Sequence, residues 1–238
     1  MEYLILFLTA LLPAAFYILY IVAFDSKKPE PPKVLLLAAA LGGMAAIIVM
    51  LLERTCQLGM VNIEEPHSLK ESLAIGFLHL AIPAEVVKWL LLCAFLSLNR
   101  FYDEYIDGIV YSVCLSMGYV GVWTASFLSA FAGGVFSSFV EMSAVTVLVL
   151  VPISYIAGTL MGYFFALARD KKKSRVHYLL ALLVPMLVDG FLCFLILVIG
   201  NHWEYYFLMG ILLAILATIV YTQIFKLLER DGVKYENN

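Results

Sequence analysis

The chain has 238 residues, 63% of them hydrophobic and only 14% charged, with a formal net charge of −3 and a mean hydropathy of +0.96. Soluble domains run about 45–50% apolar and about 25% charged, so this composition excludes an ordinary soluble domain, a disordered chain and a nucleic-acid binder. Four cysteines (Cys56, Cys93, Cys114, Cys193) stand far apart with no CxxC pair, which excludes a disulfide scaffold and a zinc ribbon. What remains is an all-α, polytopic transmembrane helix bundle in the cell membrane.

A spanning helix needs about 20 mostly apolar residues. In chain order the runs 3–24, 34–52, 73–98, 108–132, 142–168, 178–200 and 205–227 qualify, which predicts about seven spans in a single integral-membrane domain over residues 1–238. Period-2 alternation is absent, so the spans are helices and not barrel strands. The first run lacks a basic leader and a small-residue cleavage site, and is expected to stay as a span. In a seven-span arrangement Lys27, Lys28, Lys33, Arg100, Arg169, Lys171, Lys172, Lys173, Arg175, Lys226, Arg230 and Lys234 share one side, against Arg54 and Lys70 on the other. The basic side is expected to be cytoplasmic, with the N-terminus outside and the C-terminus inside.

Ionisable groups inside the hydrocarbon are costly and mark functional candidates. Here they are His79, Glu85, Lys88 and Asp189, with Asp107 and Glu141 near the rims. Glu85 and Lys88 stand at i and i+3 and share a helix face, just after Pro83, which removes a ladder hydrogen bond. A structural ion pair accounts for them as well as a polar pocket does. Asp189 has no neutralising neighbour in sequence, so it faces the bundle interior, and Lys88 is the one basic residue at comparable depth. Cys193 at i+4 would make half a metal site with Asp189, although a lone cysteine in an apolar helix more simply serves as a small hydrophobe. Asp103 and Asp107, also at i, i+4, could grip a cation, but capping of the helix opened by Asp107-Gly108 explains them more cheaply. Small-residue stripes (Ala39, Gly42, Gly43, Ala46; Ala157, Gly158, Gly162) predict close helix crossings. No GxSxG, HExxH or P-loop motif is present.

Several segments together resemble the PrsW family of intramembrane metalloproteases, relatives of the CAAX-processing proteases and bacteriocin-immunity proteins. They are Phe24–Pro32 (FDSKKPEPP), Ala84–Leu90 (AEVVKWL), Phe101–Tyr111 (FYDEYIDGIVY), Pro152–Phe164 (PISYIAGTLMGYF) and Pro185–Phe194 (PMLVDGFLCF). The FYDEYIDGIVY segment is the most specific of them. The resemblance implies a zinc-dependent protease that cuts membrane-anchored proteins such as anti-sigma factors. It also exposes departures. Where the family carries paired glutamates the chain reads Ala84-Glu85, and where it carries Glu-Asn the chain reads Trp123-Thr124. The two positions matched to its histidines hold Ser154 and Asp189.

Of the matched positions only Glu85 and Asp189 can ligate metal, with His79 or Cys193 as a third ligand, and two carboxylates alone make a poor zinc site. The expectation is therefore that no zinc is held, that chelators do not matter, and that Trp123 fills space which water and substrate would need. Three readings follow: a PrsW-like protease with Glu85, Lys88 and Asp189 as its catalytic groups, a non-catalytic relative that binds single-span membrane proteins, and a small proton-coupled carrier. All three act in the bilayer, and none involves nucleic acid.

Overall fold

The computed structural model describes residues 2–23, 29–55, 68–99, 101–129, 144–169, 174–199 and 203–236. Every element among them is helical: α1 Glu2–Val22, α2 Pro32–Thr55, α3 Leu69–Leu98, α4 Ile106–Ser129, α5 Thr146–Ala168, α6 Ser174–Ile199 and α7 Trp203–Glu236. Six of these, α2 to α7, are long and apolar enough to cross a membrane, and α1 contributes a shorter apolar stretch, Leu8–Val22. The predicted polytopic helical bundle is thus present. The helices overrun the apolar runs: α3 begins at Leu69, capped by the Ser68 hydroxyl, which accepts from the Glu71 N–H at 3.3 Å, and α7 continues to Glu236. The reason is that a helix stays hydrogen-bonded past the hydrocarbon edge, while hydropathy ends there. The junction at 130–143 with Glu141, and the lysines at 27, 28 and 171–173, lie outside the described residues.

Burial identifies the axis of the bundle. In α4, 78% of the most apolar window is buried, against 22% in α6 and in α7. Around α4 pack α2, α5 and α1; α6 packs on α5, and α3 bridges α2 and α6. The outward faces carry Leu12, Phe16, Leu19, Leu36, Leu187 and Phe207, each more than half exposed. A soluble protein would not tolerate such a belt, which contacts the lipid bilayer here. The closest crossing is set by the predicted stripe in α2. A Cβ at Gly42 would overlap the Leu115 carbonyl and lie 2.8 Å from the Tyr119 nitrogen, so only glycine lets the α2 and α4 backbones meet.

Two segments widen from α to π geometry, Ile75–Ala81 in α3 and Thr146–Leu150 in α5. Each ends just before a proline, Pro83 or Pro152, and the N–H before it reaches back five residues (Ile82 to Phe77, Val151 to Thr146). A proline ring clashes with the carbonyl four residues earlier, and a widened turn relieves that clash.

Candidate functional site

Glu85 and Lys88 lie in the first turns of α3 after Pro83, on the face turned towards α4 and α6. Both are fully buried, at 0% and 1% exposure. The Lys88 ammonium donates to Glu85 Oε1 and sits over the Tyr119 ring of α4, 5.1 Å from its centroid. The Asp189 carboxyl of α6 interacts electrostatically with both Glu85 and Lys88. Its Oδ1 accepts from the Cys193 thiol at 3.8 Å. Glu85 Oε2 is buried and has no hydrogen-bond donor among the described residues. Of the ionisable residues within the spans, Glu85, Lys88 and Asp189 thus lie in one group, with Cys193 beside Asp189.

Helix docking explains how Asp189 arrives there. The neighbouring Gly190 lies under the Phe77 ring, whose carbons would be 2.5–2.9 Å from a Cβ at that position, and Gly76 lies against the Phe194 nitrogen at 2.8 Å. The widened segment of α3 thus nests into α6 one residue beyond Asp189. Higher up, the Trp89 indole donates to the Tyr178 carbonyl at 3.0 Å and ties the same two helices.

Beside the cluster is a cavity of about 70 Å³, lined among others by Glu53, Ala84, Tyr119, Trp123, Ser154, Asp189 and Cys193. The matched positions Ala84, Trp123, Ser154 and Asp189 thus meet at one place, from four helices. Two expectations need correction. Trp123 does not fill the space; it stacks flat on Phe127 at 5.4 Å and forms a wall. His79 does not line this cavity, and its buried Nδ1 has no partner among the described residues. The hydroxyl of Thr124 is turned back onto its own helix, bonding the Val120 carbonyl at 2.6 Å.

The donor set can be tested against zinc directly. A catalytic zinc takes three protein ligands, drawn mostly from imidazole and thiolate. Ala84, Trp123 and Ser154 supply none, and Glu85 is engaged by an ammonium group, which repels a dication. Glu53, Asp189 and Cys193 remain on the cavity wall, and among the described residues their ligand atoms do not gather within 4.8 Å of one another. These residues do not fit zinc.

Sequence reasoning missed two participants here. Glu53 falls just past the apolar run 34–52, yet it lies in α2, eleven residues beyond Gly42. That spacing is within about 20° of three full turns, so it continues the small-residue face that meets α4. Tyr119 carries no charge to set it apart within an apolar run.

A second acidic group lies at the end of the bundle where α3 meets α4. Glu30, Asp103 and Asp107 bring ligand atoms within 4.8 Å of one another. An all-carboxylate group of this size suits a hard cation, not zinc. Much of it is explained by local structure. Asp107 Oδ2 accepts the N–H groups of Asp103 (2.9 Å) and Glu104 (2.6 Å), the capping role the sequence suggested, and the Tyr111 hydroxyl bonds Glu30. Arg169 closes the turn, donating to the carbonyls of Glu104 (2.6 Å) and Asp103 (2.9 Å) while lying 4.7 Å from the Tyr102 ring centroid. Burial pushes the Tyr102 phenol up from its ordinary pKa, against the opposing pull of Arg169. Glu30 was not singled out in the sequence, because its partners lie about 75 positions further along the chain.

The chain matches the profile of the PrsW family, described as intramembrane metalloproteases, over residues 30–222. It is 31% identical over 139 residues to "Protease PrsW" of Bacillus subtilis (strain 168), covering 58% of this chain and 60% of that protein. It is 31% identical over 134 residues to the protein of the same name from Geobacillus kaustophilus (strain HTA426), covering 56% of each. A third, from Clostridioides difficile (strain 630), is 26% identical over 181 residues, or 74% of this chain and 69% of that protein. The match thus spans 60% or less of the first two relatives. No solved structure matches the chain. The apolar helices and these likenesses make it a multi-pass integral protein of the cell membrane.

Proposed function

We propose, from the premise that this chain belongs to the PrsW family of intramembrane metalloproteases, that it is a protease acting within the bilayer on single-span membrane proteins. Anti-sigma factors are the substrate type that the family resemblance implies. In this reading Glu85, Lys88 and Asp189 carry the site, the whole chain is one integral-membrane domain, and the basic end of the bundle faces the cytoplasm. One observation supports it above the others. Four positions matched to the family, Ala84, Trp123, Ser154 and Asp189, converge from α3, α4, α5 and α6 on a single cavity, with the carboxyl groups of Glu53 and Asp189 in its wall. Zinc is not assigned to this cavity, because the donors there do not fit it.

The loss of donors at Ala84, Trp123 and Ser154 favours a second reading, a non-catalytic relative that holds a membrane segment without cutting it. Reconstitution with a single-span substrate in vesicles separates the two. Cleavage by the wild-type chain, abolished in Asp189→Asn, supports the protease. Capture of the intact substrate with no cleavage supports the second reading.

A further inference from the structure

We propose that a trough between α5 and α7, open to the lipid, is the docking site for the transmembrane helix of a single-span protein. That this helix belongs to a substrate rests on the protease reading above; the trough itself does not.

Two hollows make up the trough. One, of about 480 Å³, lies between Leu148 and Val149 of α5 and Phe207, Gly210 and Ala214 of α7. The other, of about 400 Å³, lies between Pro152, Tyr155 and Ile156 of α5 and Ala217 and Tyr221 of α7, with Tyr17 and Tyr20 of α1 on its far side. On α7 the lining positions 206, 210, 213, 217, 220 and 224 recur at steps of four and three, and on α5 so do 145, 149, 152 and 156. That spacing keeps to one helix face, so the two hollows run end to end. Residues 206–224 span about 27 Å at ~1.5 Å each, close to the ~30 Å that a spanning helix crosses.

Three observations identify the occupant as a helix. First, no ionised side chain lines either hollow, which suits an apolar segment and not a lipid headgroup or a soluble partner. Second, glycines mark the helix crossings of this bundle. Gly42 meets Leu115 of α4, Gly76 meets Phe194 of α6, and Gly162 meets Gly108 of α4, each closer than 3.0 Å to the position of an added Cβ. Gly210, in the trough, is the exception among the described helical glycines: a Cβ there meets nothing within 4 Å. It is a crossing point without its second helix, and bare backbone flanked by Ala214 and Ala217 permits the close approach on which association in lipid depends. Third, α5 separates the trough from the interior cavity. Leu150, Ile153 and Ser154 line the cavity, while Pro152, Tyr155 and Ile156 line the trough. A docked helix thus lies about one helix diameter, ~10 Å, from the cavity. Ser154 is ten residues, or about 15 Å, below Ala144, so about eight extended residues lead from the docked helix over the start of α5 into the cavity. A second copy of the chain suits the trough poorly, because a symmetric pair would set hollow against hollow and fill neither.

The test uses the full chain in vesicles and a synthetic single-span peptide that carries a Gly-x-x-x-Ala face and a polar tail. A matched peptide with isoleucine at both small positions serves as the comparison. Gly210→Cys should form a disulfide with a cysteine on the small face of the peptide, whereas Ile215→Cys, on the lipid side of α7, should not. Gly210→Leu places its side chain in open space, so unfolding should be unchanged while peptide binding weakens by about tenfold or more, and KM for cleavage rises with kcat nearly constant. The isoleucine peptide should bind as weakly to the wild-type chain. Equal cross-linking from positions 210 and 215, cross-linking of Gly210→Cys to a second copy in place of the peptide, or equal binding of the two peptides would overturn the inference. If the peptide is cut and Gly210→Leu leaves binding and cutting unchanged, the docking site fails and the protease reading stands. If binding and cross-linking follow the pattern above and nothing is cut, the protease reading fails and the docking site stands.

Discussion

Replacing Lys88 by methionine removes the one buried cation of the site and keeps most of its volume. In the wild-type chain Lys88 and Glu85 are 1% and 0% exposed, so neither group has recourse to water. Coulomb's law at an effective dielectric of about 20 and a separation of about 4 Å gives roughly 4 kcal/mol for such a pair. Measured losses on breaking buried pairs, about 3–5 kcal/mol, fall in the same range, because one charge is left uncompensated. Lys88→Met is therefore expected to destabilise the bundle by about 3–5 kcal/mol in reversible unfolding from mixed micelles. The decisive comparison is the double variant Lys88→Met/Asp189→Asn. With Asp189 neutral as well, Glu85 has no carboxylate beside it and can hold a proton, so no charge is stranded. The double variant should recover most of the loss, with a coupling above about 1 kcal/mol. A loss below about 1 kcal/mol in Lys88→Met, or strict additivity in the double, would refute the argument that these three residues form one electrostatic unit.

Gly190→Ala should cost about 1–3 kcal/mol, since its methyl group would lie 2.5–2.9 Å from the Phe77 ring, whereas Gly210→Ala, with nothing within 4 Å, should be neutral or slightly stabilising in the same unfolding assay. Tyr111→Phe removes the donor to buried Glu30 and is expected to cost about 1–3 kcal/mol, visible as faster proteolysis of the turn around residues 99–105. A cysteine at Ser68 should react with a membrane-impermeant maleimide added outside intact cells and one at Arg175 should not; the opposite pattern would invert the proposed orientation.

How much of this was legible in the sequence depended on range. Hydropathy located the helices, because lipid demands a long apolar run whatever its partners. The charged misfits Glu85, Lys88 and Asp189 were legible for the same reason: each stands out against an apolar background. Their meeting could be argued from charge compensation alone, since one cation and two acids cannot stay apart in hydrocarbon. Glu53 was hidden because the hydropathy signal ends before the helix does, although its spacing from Gly42 already placed it on the inward face. Glu30 could not have been found locally, as its contacts with Asp103, Asp107 and Tyr111 exist only once α2 and α4 have packed. The open volume beside Trp123 was equally out of reach. A large ring reads as filler in one dimension, and only its stacking on Phe127 turns it into a wall.

The widened turn of α3 ties the site to the length of the chain as well as to its residues. Gly76 and Phe77 fix one end of that segment to α6, and Glu85 and Lys88 occupy the other. An α-helix rotates about 100° with each residue, and a widened turn takes up one residue more than an α turn, so straightening 75–81 to α geometry at the same chain length would swing one end that far out of line. Either the Phe77 ring would lose Gly190, or Glu85 would turn away from Asp189; both contacts could not survive. A survey of substitutions would pass over this constraint, because every side chain in 75–81 could be exchanged while the spacing that joins docking to chemistry stayed intact.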